Sequence, residues 1–224
     1  KKVVKKTTKK AVKKTTAQRV KAEPNKSQAQ KNLNDLYAYL GNYNADSDNS
    51  GSQDNSQSLN SLSDSQIASQ VKSQFIAFVN QQRQANGKAV WNENAKLDAV
   101  AQKRASYVDS DSSNAHYVTA DGQYHSEGAV VADAKSLGLN PSGLFESVGD
   151  FTQDGTYGTV SGFTDFFKGF ITDDASSNYG HRNQLLGISG NGLNNVGVGV
   201  RVDKDSSNGS VKVNIVILSS DTAY

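Results

Sequence analysis

Histidine is the residue type in this chain best suited to carry chemistry, and the sequence has three of them, His116, His125 and His181. The imidazole ring changes its charge near neutral pH, so a histidine can serve as a general acid or base. Imidazole and carboxylate are also normal ligands of Zn²⁺. Two histidines with one or two carboxylates could therefore hold Zn²⁺ or another divalent metal, or act together as an acid–base pair.

One histidine and one acid stand in informative contexts. His181 follows Gly180 and precedes the apolar pair Leu185-Leu186, which indicates the start of a helix that would aim its side chain. Glu146 lies in the otherwise apolar stretch from Phe145 to Val148, where a buried acid needs a partner. Both residues are therefore candidates for a functional site.

The composition excludes several other chemistries. The chain has no cysteine, so a disulfide framework, a zinc–thiolate site and a cysteine nucleophile are excluded. The absence of a Gly-x-Ser-x-Gly motif disfavours a serine hydrolase. No apolar run approaches the roughly 18 residues of a membrane span. The chain is rich in Ser, Asn, Asp, Gln and Gly, which is typical of an exported Gram-positive protein, and we expect Lys1 to follow a removed segment such as a signal peptide.

The elements that would position these residues can be read from hydrophobic spacing. Apolar residues at helical spacing predict four helices, covering about 63–87, 95–108, 127–138 and 160–172. Period-two alternation over 195–202 and 211–218 predicts a β-hairpin. Helices first and strands last favour an α+β layered fold. Two glycines in the first hairpin strand, Gly197 and Gly199, indicate close backbone packing rather than a phosphate loop, because no helix follows them.

The N-terminal segment differs in charge from the rest of the chain. Residues 1–32 hold 12 Lys+Arg and one acid, a net of +11, while residues 33–224 hold the other 12 bases and 21 acids, a net of −9. We consider two interpretations, a tether to a cell-wall polyanion or anionic surface, and a solvated linker. Nucleic acid is not expected as the partner, because no aromatic residue interleaves the lysines. The candidate contacts are Lys5, Lys6, Lys9, Lys10, Lys13 and Lys14.

Between the basic tail and the folded region the sequence predicts a polar linker. The linker spans residues 33–64 and contains a candidate short helix near its start, from Leu33 to Leu40. The globular domain is then predicted over residues 65–224.

Several motifs of this domain occur in an order that resembles the CAP superfamily (cysteine-rich secretory proteins, antigen 5 and pathogenesis-related proteins), in its cysteine-free bacterial form. The finer likeness is to the CAP domains of lactobacillus and enterococcus surface proteins of the surface-exclusion type. The resemblance implies an α-β-α sandwich around a three-stranded antiparallel sheet. It rests on the segments 78–83, 89–92, 97–105, 145–149, 180–186 and 196–200.

The resemblance also implies a cleft lined by two histidines and two acids. Carried over to this chain, the cleft residues are His116, Glu146, Asp173 and His181, with Asp174 as a rival for the third position and His125, expected on the surface, as a rival of His116. The chain departs from the family in having Ser147 where asparagine usually follows the glutamate, and in the residues 173–178 that precede the last histidine.

These features favour one function over two others. The leading hypothesis is a secreted, wall-associated module without enzymatic activity, whose cleft binds a ligand or a divalent metal. The alternative is a metal-dependent hydrolase, a peptidase or nuclease, that uses the same cleft. A lipid carrier is the third hypothesis and has little support, because the region is polar.

Overall fold

The structure, a computed structural model, describes residues 57–224. The predicted basic tail and the candidate helix near Leu33 lie outside the described residues. The last residues of the predicted linker are described, and they pack on the domain. Leu59 and Leu62 are buried in the core, and the backbone N–H of Asn60 donates to the carbonyl of Gly155 at 2.9 Å. Residues 58–64 are therefore part of the folded structure, ahead of the predicted boundary at residue 65, because two leucines three residues apart can dock a short turn.

Five α-helices are present among the described residues, and the four predicted from spacing are confirmed. The first is capped by Ser63, whose side chain and that of Gln66 form a reciprocal capping box, and the second is capped by the Asn94 side chain. The predicted helix start at Gly180 is also confirmed, as a short fifth helix. The helices are α1 Asp64–Ala85, α2 Ala95–Ala105, α3 Ala129–Ser136, α4 Val160–Thr172 and α5 Gly180–Leu185, with 3₁₀ turns at Leu59–Ser61 and Ala175–Ser177.

The sheet contains the predicted hairpin and two further strands. The strands are β1 Asn92–Glu93, β2 Phe145–Asp154, β3 Asn195–Asp205 and β4 Ser210–Ser220, in the order β1-β3-β4-β2. All pairs are antiparallel except the two-residue pairing of β1 with β3. The sequence had not indicated β2, in which Gly149 and three acids interrupt the alternation expected of a strand.

Helices cover both faces of the sheet, so the α+β fold with an α-β-α sandwich is confirmed. Ile215 and Ile217 of β4 pack in a core formed with α1 and α4, while Val216 and Leu218 pack with α2 and α3. Successive residues of a strand point to opposite faces, so β4 serves both cores at once. No helix among residues 57–224 has the length and apolar composition needed to cross a bilayer.

Helix α2 lies directly on β3 at the two glycines. A Cβ atom at Gly197 would stand 2.1 Å from the carbonyl carbon of Leu97, and one at Gly199 would stand 2.2 Å from the carbonyl oxygen of Ala101. The close backbone packing predicted for this strand is therefore present. It fixes α2, and with it Arg104 near the end of that helix, against the sheet.

Candidate functional site

The His116 ring is hydrogen-bonded to the carboxylate of Glu146. Its Nδ1 lies 2.8 Å from Glu146 Oε2, and since a carboxylate can only accept, Nδ1 carries the hydrogen. The Glu146 side chain is only 5% exposed, whereas the His116 side chain is 47% exposed. The buried acid thus orients the ring through Nδ1, while nearly half of the His116 side chain stays exposed.

Arg104 holds this pair in place and was not among the predicted site residues. Its guanidinium is fully buried and donates to both oxygens of Glu146, at 2.7 and 3.2 Å. Its remaining hydrogens reach the Tyr107 hydroxyl at 2.6 Å and the carbonyls of Ala115 and Val118 at 2.7 and 3.3 Å. All five N–H groups are therefore used, and the loop that carries His116 is joined to β2. Arginine presents these donors in a fixed planar fork, which lysine could not reproduce.

His181 has a carboxylate partner of its own. Its Nδ1 lies 2.7 Å from Oδ1 of Asp174, whose side chain is 3% exposed. Burial by itself would raise the pKa of the Asp174 carboxyl. Hydrogen bonds from the backbone N–H of Arg182, at 2.8 Å, from the Ser177 hydroxyl and from His181 outweigh burial and hold that pKa below its usual value. The acid is therefore ionised at neutral pH and fixes the ring through Nδ1.

Asp173, the acid chosen from the sequence, does not occupy this position. It is exposed and forms the C-terminal cap of α4, while Asp174 turns inward at the start of the 3₁₀ turn that follows. The rival assignment, Asp174, is thus the one that the geometry places against His181. The difference of one residue depends on how α4 ends, which helical spacing does not specify.

A strained backbone segment before His181 and a second buried arginine hold His181 in position. Asn178 and Tyr179 both have positive φ, 53° and 61°, in a region that non-glycine residues rarely adopt. Arg83 closes the other end of α5 by donating to the carbonyl of Leu185 at 2.9 Å. It also reaches the carbonyl of Gly192 at 2.8 Å. The sequence analysis had not singled out Arg83 as a site residue.

The two histidine pairs are anchored from opposite faces of β2. Glu146 and Ser147 are consecutive strand residues, so their side chains point to opposite sides of the sheet. On one face, the Glu146 carboxylate holds the His116 ring. On the other face, the Ser147 hydroxyl donates at 2.7 Å to Oε1 of Gln184, a residue one helical turn after His181. Two consecutive residues of β2 therefore position both pairs at the same end of the strand. His125 belongs to neither pair and is half-buried.

The predicted metal ligands do not gather into one coordination sphere. Residues 57–224 contain no group of three or more His, Cys, Asp or Glu side chains placed to hold a metal ion. Both oxygens of Glu146 are already bound by Arg104 and His116, and Asp173 is turned to solvent. Among residues 57–224, these two carboxylates are therefore not available together with His181 as ligands of one ion.

Replacing Asp174 with asparagine is expected to reduce the acid sensitivity of the fold. Since the folded pKa of this carboxyl is lowered, its stabilisation is complete above the unfolded value of about 3.9 and is lost as pH falls through the folded value. Urea unfolding from pH 7 to pH 3 should show a shallower decline for Asp174→Asn than for the unsubstituted protein. The neighbour Asp173→Asn is the control and should follow the unsubstituted curve. Parallel curves for Asp174→Asn and the unsubstituted protein would contradict this expectation.

The solved structures similar to this chain include the following two. One is a cysteine-rich secretory protein from Staphylococcus aureus, with 15% identity and a TM-score of 0.40; the match covers 68% of this chain and 39% of that protein. The other is the CAP domain of enterococcal PrgA, with 17% identity and a TM-score of 0.44, covering 75% of this chain and 69% of that domain.

No protein-family model matches the chain, and no curated protein sequence matches it. The chain spans about 39% of the length of the staphylococcal protein. These similarities concern the arrangement of the backbone alone, so the function has to be argued from the geometry of the two histidine pairs.

Proposed function

We propose that this chain is a secreted, wall-associated CAP-type module that binds a ligand through His116 and His181, without catalysing a reaction. One observation carries the proposal. Each histidine is held through Nδ1 by a carboxylate that is almost fully buried, while the ring itself stays accessible. A ring fixed in this way presents a single oriented nitrogen, Nε2, for hydrogen bonding, which is the kind of preorganised polar group that ligand sites use.

The neighbouring hydroxyls favour binding over nucleophilic catalysis. The Ser177 hydroxyl donates to Asp174, and the Ser147 hydroxyl donates to Gln184. Both serine hydroxyls therefore donate to groups other than the His181 ring. A serine nucleophile would instead have to lie within hydrogen-bond reach of the general base.

Binding to purified Gram-positive sacculi tests the proposal. At about 0.5 M salt, where a Debye length of roughly 4 Å suppresses the contribution of the basic tail, His116→Gln and His181→Gln should each weaken sacculus binding several-fold. The control variant is His125→Gln, whose ring lies outside both pairs and which should bind as the unsubstituted chain does. Equal binding by all four proteins would contradict the proposed role of the histidines.

A divalent metal as part of the ligand is a separate proposal with its own measurement. Structural and catalytic Zn²⁺ sites use at least three protein ligands, and no group of three such side chains is found among residues 57–224. Calorimetric titration of Zn²⁺ into the full chain and into His181→Ala decides the matter. Identical isotherms would remove His181 as a metal ligand, and a loss of binding would support it.

The basic tail is proposed as a second binding element, directed at a cell-wall polyanion or an anionic surface. The net of +11 over residues 1–32 supports this, because a polyanion contact gains from counterion release and charge attraction. Binding of the full chain to teichoic-acid-bearing sacculi should fall steeply between about 0.05 and 0.5 M salt, over which the Debye length shrinks from roughly 14 to 4 Å. Binding that does not change with salt would contradict the tether.

The hydrolase alternative has one observation in its favour. A histidine whose Nδ1 is held by a buried carboxylate, as in the His181–Asp174 pair, has the arrangement of a general base. Peptidoglycan, casein and DNA are suitable substrates for an assay with and without chelator. An activity that is abolished by both chelator and His181→Gln would favour the hydrolase over the binding module.

A further inference from the structure

The outer edge of β2 is a long strand edge without a neighbouring strand among residues 57–224. Strand β2 has ten residues, stands last in the sheet order and pairs only with β4. Alternate residues of an edge strand direct their backbone N–H and C=O groups away from the sheet. Along this edge, therefore, the protein offers a regular ladder of backbone donors and acceptors.

Both histidine pairs stand beside the first half of this edge. Glu146 holds the His116 ring on one face of the strand, and Ser147 holds Gln184, one turn after His181, on the other face. The same Gln184 side chain also donates to the carbonyl of Phe145 at 3.2 Å. Any segment lying along residues 145–149 would thus have one imidazole network on each side.

The α4 side of the edge is aromatic. The ring of Phe170 covers the strand at Gly149, where a Cβ atom would stand 2.7 Å from its Cζ, and its centroid lies 4.6 Å from that of His181. Further along, Phe151 of β2 stacks on the exposed ring of Phe166 with centroids 4.1 Å apart. This face is suited to apolar side chains.

The opposite face of the edge carries two acids with an apolar residue between them. These are Glu146 and Asp150, whose carboxylate lies 2.8 Å from the ammonium of Lys212, and Val148, which packs on the core below. A ligand whose side chains alternate between an aromatic side and a side that bears two acids would match the two faces. A β-strand has this alternation built into its backbone, because successive side chains point to opposite sides.

We propose that the outer edge of β2, centred on residues 145–149, binds an extended polypeptide segment of a partner protein as an additional strand. The backbone ladder would hold the segment, and its side chains would alternate between the Phe170–His181 side and the His116 side. A saccharide or nucleotide has no donor and acceptor repeat that matches a strand edge, which is why a polypeptide is the ligand class. The inference rests on the proposed binding role of the histidines and names the ligand of that same site.

Synthetic peptides test the inference with the full chain. An array of decapeptides with alternating apolar and polar residues supplies a binder, which is then measured in solution with each backbone nitrogen methylated in turn. Methylation at every second residue is expected to weaken the affinity of the peptide roughly tenfold, since each of these methyl groups removes one backbone hydrogen bond. Methylation at the intervening residues should change the affinity by less than about twofold. Amide hydrogen exchange in β2 should slow with the same period of two.

Matched variants locate the peptide on the protein. Phe145→Ala, at the exposed start of the edge, should weaken peptide binding several-fold, whereas Tyr157→Ala, a more exposed aromatic residue beyond β2, should leave it unchanged. A failure of every peptide to bind, a methylation profile without period two, or pairing of β2 with a second copy of the chain would overturn the inference. Sacculus binding that still depends on His116 and His181 after such a failure would leave the proposed function standing.

Discussion

Replacing Arg104 with methionine is expected to lower the free energy of unfolding by about 3–5 kcal/mol, the range for breaking a buried ion pair by removing one partner. The guanidinium is completely buried and makes contacts with Glu146, the Tyr107 hydroxyl and two backbone carbonyls. Methionine would fill most of the space but leave Glu146 as a buried charge without its main partner. Urea unfolding at pH 7 measures the loss.

Two further proteins make this prediction specific. Arg201→Met removes an arginine whose carboxylate partner, Asp203, is exposed, and it should cost less than about 1 kcal/mol. The double variant Arg104→Met/Glu146→Gln should recover part of the loss, because the glutamine carries no charge that needs compensation. A cost for Arg104→Met no larger than that of Arg201→Met would show that the buried network does not stabilise the fold.

Replacing Gly199 with alanine is expected to cost about 3 kcal/mol, although the same change usually stabilises a protein by reducing the freedom of the unfolded chain. The added Cβ would stand 2.2 Å from the carbonyl oxygen and 2.3 Å from the carbonyl carbon of Ala101. Backbone atoms of a packed helix cannot move aside individually, so α2 as a whole would have to lift from β3. The clash therefore outweighs the gain in chain entropy by several-fold.

Gly169→Ala supplies the matched control. Gly169 lies within α4, and a Cβ atom there would meet no heavy atom within 4 Å. Alanine should then stabilise the helix by up to about 1 kcal/mol. Thermal or urea unfolding of the two variants should give opposite signs, and a stabilised Gly199→Ala would contradict the close contact between α2 and β3.

The elements with strong local signals were predictable from the sequence. Helix α1 begins at a capping box with Ser63 and is followed by Gly87, which has a φ of 68°. Both ends can be recognised from these residue types. The β3–β4 hairpin follows from period-two alternation on both strands. Local chemistry and hydrophobic pattern agree in these segments, which is why the predicted boundaries are close to the observed ones.

Strand β2 was not predictable by the same reasoning. Its α4-facing positions are Phe145, Ser147, Gly149 and Phe151, and the two small residues are there because Gln184 and Phe170 occupy the space above them. That reason lies in residues that are distant in the sequence. An edge strand paired on one side only also needs less continuous apolar character than a central strand.

The site was predictable in part. His116 and Glu146 lie together as the resemblance implied, but His181 contacts Asp174 in a separate pair, and Asp173, chosen over Asp174 from the sequence, is exposed. Arg104 could have been recognised, because it lies seven residues after Leu97 on the apolar face of α2, where a charged group must have a partner. Spacing alone could not identify that partner as Glu146, which lies 42 residues away.

The most direct test of the two-pair arrangement is ¹⁵N NMR of the histidine ring nitrogens in the full chain. His116 and His181 should each carry hydrogen on Nδ1, bound to a separate carboxylate, with His125 as the internal reference. Glu146→Gln should then change the signals of His116 alone, and Asp174→Asn those of His181 alone. A single substitution that changes both rings to a similar extent, or Asp173→Asn changing His181 as strongly as Asp174→Asn does, would contradict the two separate pairs.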